Sequence, residues 1–114
     1  MVTMGQIREV SRRIAAEFRP RRIVLFGSYA RGTATEDSDV DLLIITPLKG
    51  EPVSKSVEIR LKVRPSFPVD MLVRTPRMVQ ERLAMGDDFM REILTEGKTL
   101  YEADDARVGP QGRR

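Results

Sequence analysis

Ile7, Val10, Ile14 and Phe18, with Ala15, recur at helical spacing, while Arg8, Arg12, Arg13 and Arg19 fall on the other side of the same segment. This predicts an amphipathic first helix. Thr3 followed by Gln6 fits a capping box at its start, and Pro20, which has no N–H to give a helix interior, limits its run. Arg22 to Phe26 (RIVLF), stopped by Gly27, and Val40 to Thr46 (VDLLIIT), stopped by Pro47, are short β-branched and apolar runs that read as buried strands. The small and charged residues between them, Ser28 to Ser38, suit one helical turn followed by a loop.

Pro47, Gly50 and Pro52 mark a turn. Beyond it Val57, Ile59, Leu61 and Val63 alternate, a pattern that suits a strand better than a helix, although the polar positions leave the segment 53–63 open. Phe67 to Arg74 reads as a strand with Val69, Met71 and Val73 on one face and Asp70 and Leu72 on the other, Pro68 marking its start or an edge. Thr75 and Pro76 form a cap and first-turn pair for a helix carrying Met78, Val79, Leu83 and Met85. Gly86 and Asp87 restart the chain into a helix with Phe89, Ile93 and Leu94, ended by Gly97, and Lys98 to Tyr101 suits a last short strand. Almost no apolar residue follows Asp104, so the expected organisation is one domain over 1–105 and a basic, disordered tail over 106–114.

Composition narrows the chemistry. The 114 residues suffice for one core, and Cys, His, Trp and Asn are all absent. Thiol nucleophiles, imidazole bases, disulfides and ordinary zinc sites are thereby excluded, and catalysis must run on carboxylates, hydroxyls, Lys or Arg. The longest apolar runs, Ile23 to Phe26 and Leu42 to Ile45, are far short of the ~20 residues of a membrane span, and the expected location is the cytoplasm. The net charge of +3 is uneven: residues 1–22 hold six Arg against two Glu, residues 23–105 hold eleven basic against fifteen acidic, and residues 106–114 hold three Arg and no acid. With the basic excess on a helix face and in a tail, and no aromatic interleaving, direct nucleic-acid binding is not expected.

The candidate chemistry lies in Phe26-Gly27-Ser28-Tyr29-Ala30-Arg31-Gly32 and in Ser38-Asp39-Val40-Asp41-Leu42. Asp39 and Asp41 stand two apart at the mouth of a strand, so their side chains leave one face with Cα atoms about 6 to 7 Å apart. Two carboxylates there repel one another, and a divalent cation with oxygen ligands relieves them; Mg²⁺ characteristically takes one or two carboxylates together with substrate phosphates. Gly27 and Ser28 sit where a strand gives way to a helical turn, where a glycine lets a phosphate approach the backbone and the hydroxyl and free N–H groups can donate to it. Neither a Walker A loop nor the dinucleotide fingerprint is present. Asp70, ionisable within an apolar strand, needs a partner or a metal. If its strand neighbours that of Asp39 and Asp41, three carboxylates converge as in a two-metal phosphoryl-transfer site.

With Gly-Ser, a downstream Arg-Gly, Ser-Asp-x-Asp-Leu and a later strand Asp, the sequence resembles a minimal nucleotidyltransferase domain of the DNA polymerase β superfamily over roughly Ile23 to Tyr101. The resemblance implies an α/β (α+β) fold: a small mixed sheet with helices packed mainly on one face. It implies that Gly27 and Ser28 hold the triphosphate of ATP, that Asp39 and Asp41 bind Mg²⁺, and that Asp70 completes a two-ion site and helps activate the attacking hydroxyl. Arg31 matches the family's Arg-Gly position, as a phosphate contact or a brace of the loop, and Asp37 falls in the loop before the strand. Relatives that act on tRNA, antibiotics or poly(A) ends add further domains to bind the acceptor. Small stand-alone members are typically encoded with a helical HEPN protein as its antitoxin, and some transfer AMP to a tyrosine of that toxin. The expected acceptor is therefore such a partner, in a hetero- or homo-oligomer, the alternatives being a non-catalytic antitoxin and an aminoglycoside-type small-molecule enzyme.

Overall fold

Strands β1 (Arg22–Phe26) and β2 (Val40–Ile45) form the centre of the sheet as an antiparallel pair in which Arg22 faces Ile45 and Phe26 faces Asp41. This computed structural model describes residues 1–104; the expected basic tail lies outside them. The sheet order is β3-β2-β1-β4, where β3 is Val69–Arg74 and β4 is Lys98–Glu102. β4 pairs antiparallel with β1, whereas β3 runs parallel to β2, with Val40 opposite Val69 and Asp41 opposite Asp70. A parallel neighbour cannot be reached by a tight turn, and helix α3 (Pro52–Val63) supplies the crossover.

Alternation along the strands divides the core between two faces. Ile23, Leu25, Val40, Leu42, Ile44, Val69, Met71 and Val73 pack with Ile7, Val10 and Ile14 of helix α1 (Met4–Phe18) and with Ile59 and Val63 of α3. Val24, Leu43 and Ile45 point the other way and pack with Val79 of helix α4 (Pro76–Ala84) and with Met90 and Ile93 of helix α5 (Asp88–Glu96). The mixed α/β sheet is thus as expected. The first face carries the larger core, but α4 and α5 also cover part of the second, because these inner strands are apolar on both sides and each side must be buried.

The helix ends follow their sequence signals. Thr3 Oγ1 accepts from the Gln6 amide at 3.1 Å while Gln6 Oε1 accepts from the Thr3 amide at 2.8 Å, the reciprocal box expected for α1. Thr75 Oγ1 accepts from the Met78 amide and Asp87 Oδ1 from the Met90 amide, both at 3.0 Å, opening α4 and α5.

Segment 53–63 departs from its strand-like pattern: it is the helix α3, with Pro52 in its first turn. Ile59 and Val63, four apart, are its buried residues, while Val53, Val57 and Leu61 face solvent. Residues two apart on a helix point roughly 200° apart. A helix that is apolar on two opposite sides therefore reads as alternation. Among the described residues no helix is long and apolar enough to cross a membrane.

Candidate active site

Sheet register alone brings two of the three candidate carboxylates together. Asp41 and Asp70 are direct partners across the parallel β2–β3 pair, so they emerge side by side on the face covered by α4 and α5. Asp39, exposed just before β2, is two residues from Asp41 and shares its direction. Val40 and Leu42, of opposite parity, are fully buried beneath α1 and α3. The carboxylates are thus held at the edge of a rigid, dry core.

Gly27 ends β1 at φ 76° and ψ −155° and precedes the four-residue helix α2 (Ser28–Arg31). A Cβ built on it would stand 2.2 Å from Asp41 Oδ2. The glycine is therefore required twice, by its left-handed φ and by the carboxylate lying against it. The Ala30 and Arg31 amides both donate to the Gly27 carbonyl at 3.1 Å, which closes the turn. The Ser28 and Tyr29 amides, in the first turn of α2, have no helical acceptor. Ser28 and Tyr29 are half-buried, and the Tyr29 hydroxyl accepts from the Val2 amide at 3.3 Å, tying the turn to the start of the chain. Asp37 sits in the exposed turn before β2, where its amide donates to Thr35 Oγ1 at 3.3 Å.

Burial pushes the Asp41 carboxyl above its ordinary value, Asp70 and Asp39 push it further the same way, and the Arg31 guanidinium opposes them. Asp41 therefore feels all three of these charges. Among the described residues Asp39, Asp41 and Asp70 close no ion pair, and no three carboxylates stand close enough as a group to hold one ion. The donor set nonetheless fits a hard divalent cation: all its ligands are carboxylate oxygens, and Asp41 bears the repulsion that such a cation would relieve.

A cleft of about 280 Å³ opens beside this edge, walled by Phe26, Gly27, Arg31 and Asp41 on one side and by Phe89, Glu92, Glu96 and Gly97 of α5 and its end on the other. Phe26 and Phe89 meet edge to face with centroids 5.9 Å apart. Ser28 is not among the cleft's walls. Sequence spacing brought out Gly27, Arg31 and Asp41 but not the α5 wall, whose contribution depends on a helix distant in the chain folding back against β1. The one available signal was Phe89, a large aromatic at the start of a helix whose core residues are Met90 and Ile93.

The nucleotidyltransferase domain model matches residues 7–106. A chain of Methanocaldococcus jannaschii that is provisionally named a protein adenylyltransferase is 31% identical over 97 residues, spanning 83% of this chain and 94% of that one. A protein adenylyltransferase of Thermococcus cleftensis is 42% identical over 48 residues, 39% of this chain and 48% of that one. Among solved structures, a toxin–antitoxin complex with AMP-PNP superposes with a TM-score of 0.60 at 20% identity, covering 94% of this chain and 80% of that chain. A provisionally assigned nucleotidyltransferase from Sulfolobus solfataricus superposes at 0.59 with 17% identity, covering 89% and 81%. These two likenesses are of fold.

Proposed function

The chain belongs to the nucleotidyltransferase domain family and is a nucleotidyltransferase, and on that premise we propose that it transfers AMP from ATP to a hydroxyl of a partner protein, a HEPN-type toxin whose antitoxin it is. The observation that carries this reading is the pairing of Asp41 with Asp70 across β2 and β3, with Asp39 beside them and Gly27 pressed against Asp41. Relatives named for protein adenylylation and a fold neighbour crystallised as a toxin–antitoxin complex with AMP-PNP support the acceptor class and the nucleotide.

In this mechanism Asp39, Asp41 and Asp70 would be the residues that hold Mg²⁺ between them, and its charge would neutralise the phosphates and lower the pKa of the acceptor hydroxyl. Gly27 leaves room for the triphosphate at the backbone, and the Ser28 hydroxyl with the free amides of α2 donates to it. Arg31 sets a positive charge beside the same groups. Phe26 and Phe89 give the cleft an aromatic wall against which a base can rest. Asp70 takes the proton of the acceptor hydroxyl as its oxygen attacks the α-phosphorus in line, so that the new O–P bond forms as the bond to pyrophosphate breaks.

The test is incubation with labelled ATP, Mg²⁺ and the protein encoded beside it. Label is expected on that protein, and an Asp39→Ala, Asp41→Ala double variant should transfer none. Equal transfer by the double variant, or none by the natural chain, would leave a binding module that neutralises its partner by contact. A second reading has one observation in its favour: Glu92 and Glu96 join Asp41 in the cleft, and such an acidic wall suits a polycationic small acceptor. Label transferred to an aminoglycoside without any partner protein would establish it.

A further inference from the structure

Helix α5 does two things at once. Met90 and Ile93 are buried and hold it on the core. Phe89, Glu92 and Glu96, three and four residues apart, share a neighbouring face and wall the cleft. The helix ends hard against β1: a Cβ on Gly97 would stand 2.8 Å from the Leu25 carbonyl oxygen and 2.7 Å from Val24 Cγ1. Backbone packs on backbone there, so this wall is fixed to the strand that leads into Gly27.

The two glutamates do nothing for the helix that carries them. Like charges four apart repel, and Glu96 ends the helix where its dipole is negative, with no basic residue in that last turn. Neither closes an ion pair among the described residues. An ionised carboxylate only accepts hydrogen bonds, so a ligand group that meets one must donate.

The order of groups along the wall matches the order of parts in a nucleotide. Phe89, edge to face with Phe26, offers a surface for the base. Glu92 follows one turn on, about 4.5 Å along the helix axis. The helix then closes on Leu25, two residues before the turn of Gly27 and Arg31 that receives the phosphates. Between base and phosphates lies the sugar, and the donors of a ribose are its 2′ and 3′ hydroxyls. The two oxygens of a single carboxylate can accept from both, as an acidic side chain accepts from a ribose hydroxyl in dinucleotide-binding folds.

We propose that Glu92 reads the sugar: its carboxylate accepts from the 2′ and 3′ hydroxyls of the bound nucleotide and makes the chain selective for ribonucleotides over deoxyribonucleotides. This assignment rests on the reading of the cleft as the site of adenylyl transfer. The amine of adenine is the rival donor, but it stands on the edge of the base away from the sugar, whereas Glu92 stands one turn from Phe89 on the side of the phosphates.

The experiment is calorimetric titration of the full chain with ATP, 2′-deoxyATP and 3′-deoxyATP in the presence of Mg²⁺, which needs no acceptor. ATP should bind at least about tenfold more tightly than either deoxy analogue, and Glu92→Ala should bring both ratios to within about twofold of one. The three ligands carry the same charge, so the ratios are blind to any general gain from deleting a carboxylate near phosphates. Glu96→Ala, one turn further along, should shift all three affinities together and leave the ratios where they are. Glu92→Gln, which keeps the volume and loses the charge, should lower the ratios too, and it replaces Glu92→Ala if circular dichroism shows that variant unfolded. Equal binding of ATP and its deoxy analogues, ratios unmoved by the loss of Glu92, or ratios that fall in Glu96→Ala instead would overturn the proposal and leave the adenylyl-transfer reading standing. Binding of no nucleotide at all would overturn that reading and this assignment with it.

Discussion

The two faces of the single sheet have been put to opposite uses. On the face beneath α1 and α3, Leu25, Leu42 and Ile44 are wholly buried, and the side chains from the strands are sealed in a continuous apolar core. On the other face the same strands present Phe26, Asp41 and Asp70, the cover is the two shorter helices α4 and α5, and a cleft remains open at the strand ends. One side of each strand supplies rigidity and its neighbours one residue along supply reactive groups. Stability and chemistry are thereby assigned to alternate positions of the same six-residue strand.

Substitutions on the two sides of β2 should separate cleanly, and the largest effect belongs to the carboxylates. Asp39→Ala with Asp41→Ala should lower adenylyl transfer by at least about a thousandfold, roughly 4 kcal/mol of transition-state stabilisation, with the melting temperature not reduced. Retained transfer would break the division of labour. Leu42→Ala, one residue further along, should do the reverse, lowering unfolding free energy by about 2–5 kcal/mol in urea titration while the folded fraction keeps its turnover. Gly27→Ala falls between. Its new Cβ must displace the Asp41 carboxyl and adopt a positive φ, so a loss of about 1–2 kcal/mol in stability should accompany a roughly hundredfold loss of transfer. An unchanged rate in that variant would show that Asp41 works from another rotamer.

Two smaller effects sharpen the comparison. Phe89→Ala should raise KM for the nucleotide by about tenfold with little change in melting temperature, since the ring is half exposed on the open side. Asp41→Asn should raise the melting temperature of the metal-free chain by about a degree or two at neutral pH. The sign follows from the raised pKa: the folded chain disfavours the charged carboxyl, so Asp41's contribution to stability is greatest below the unfolded value of 3.8 and is lost as pH rises through the folded one. Added Mg²⁺ should raise the melting temperature of the natural chain and leave that of the Asn variant nearly unmoved.

Most of the secondary structure was legible because local rules and tertiary demand agree. Thr3, Thr75 and Asp87 cap the helices that follow them, and the apolar runs at Arg22–Phe26 and Val40–Ile45 are strands. The placement of Asp39 and Asp41 at a strand mouth was also legible, because parity alone sets it. Two things were not. In α3, Ile59 and Val63 serve the core while Val57 and Leu61 face outward, and the superposition of the two imitates a strand's alternation. The second is the α5 wall of the cleft, where Glu92 and Glu96 meet Gly27 and Arg31 only because the chain returns through β4 beside β1. No spacing in the sequence encodes that return.

The hydrogen at Gly27 has a consequence for how such a chain can vary. With the Asp41 carboxyl occupying the place of its Cβ, any larger residue at position 27 evicts the carboxyl from where it now lies. The two positions therefore constrain one another: a residue larger than glycine at position 27 requires the Asp41 carboxyl to leave its present place, so the shape of the turn and the aim of the carboxylate are set together.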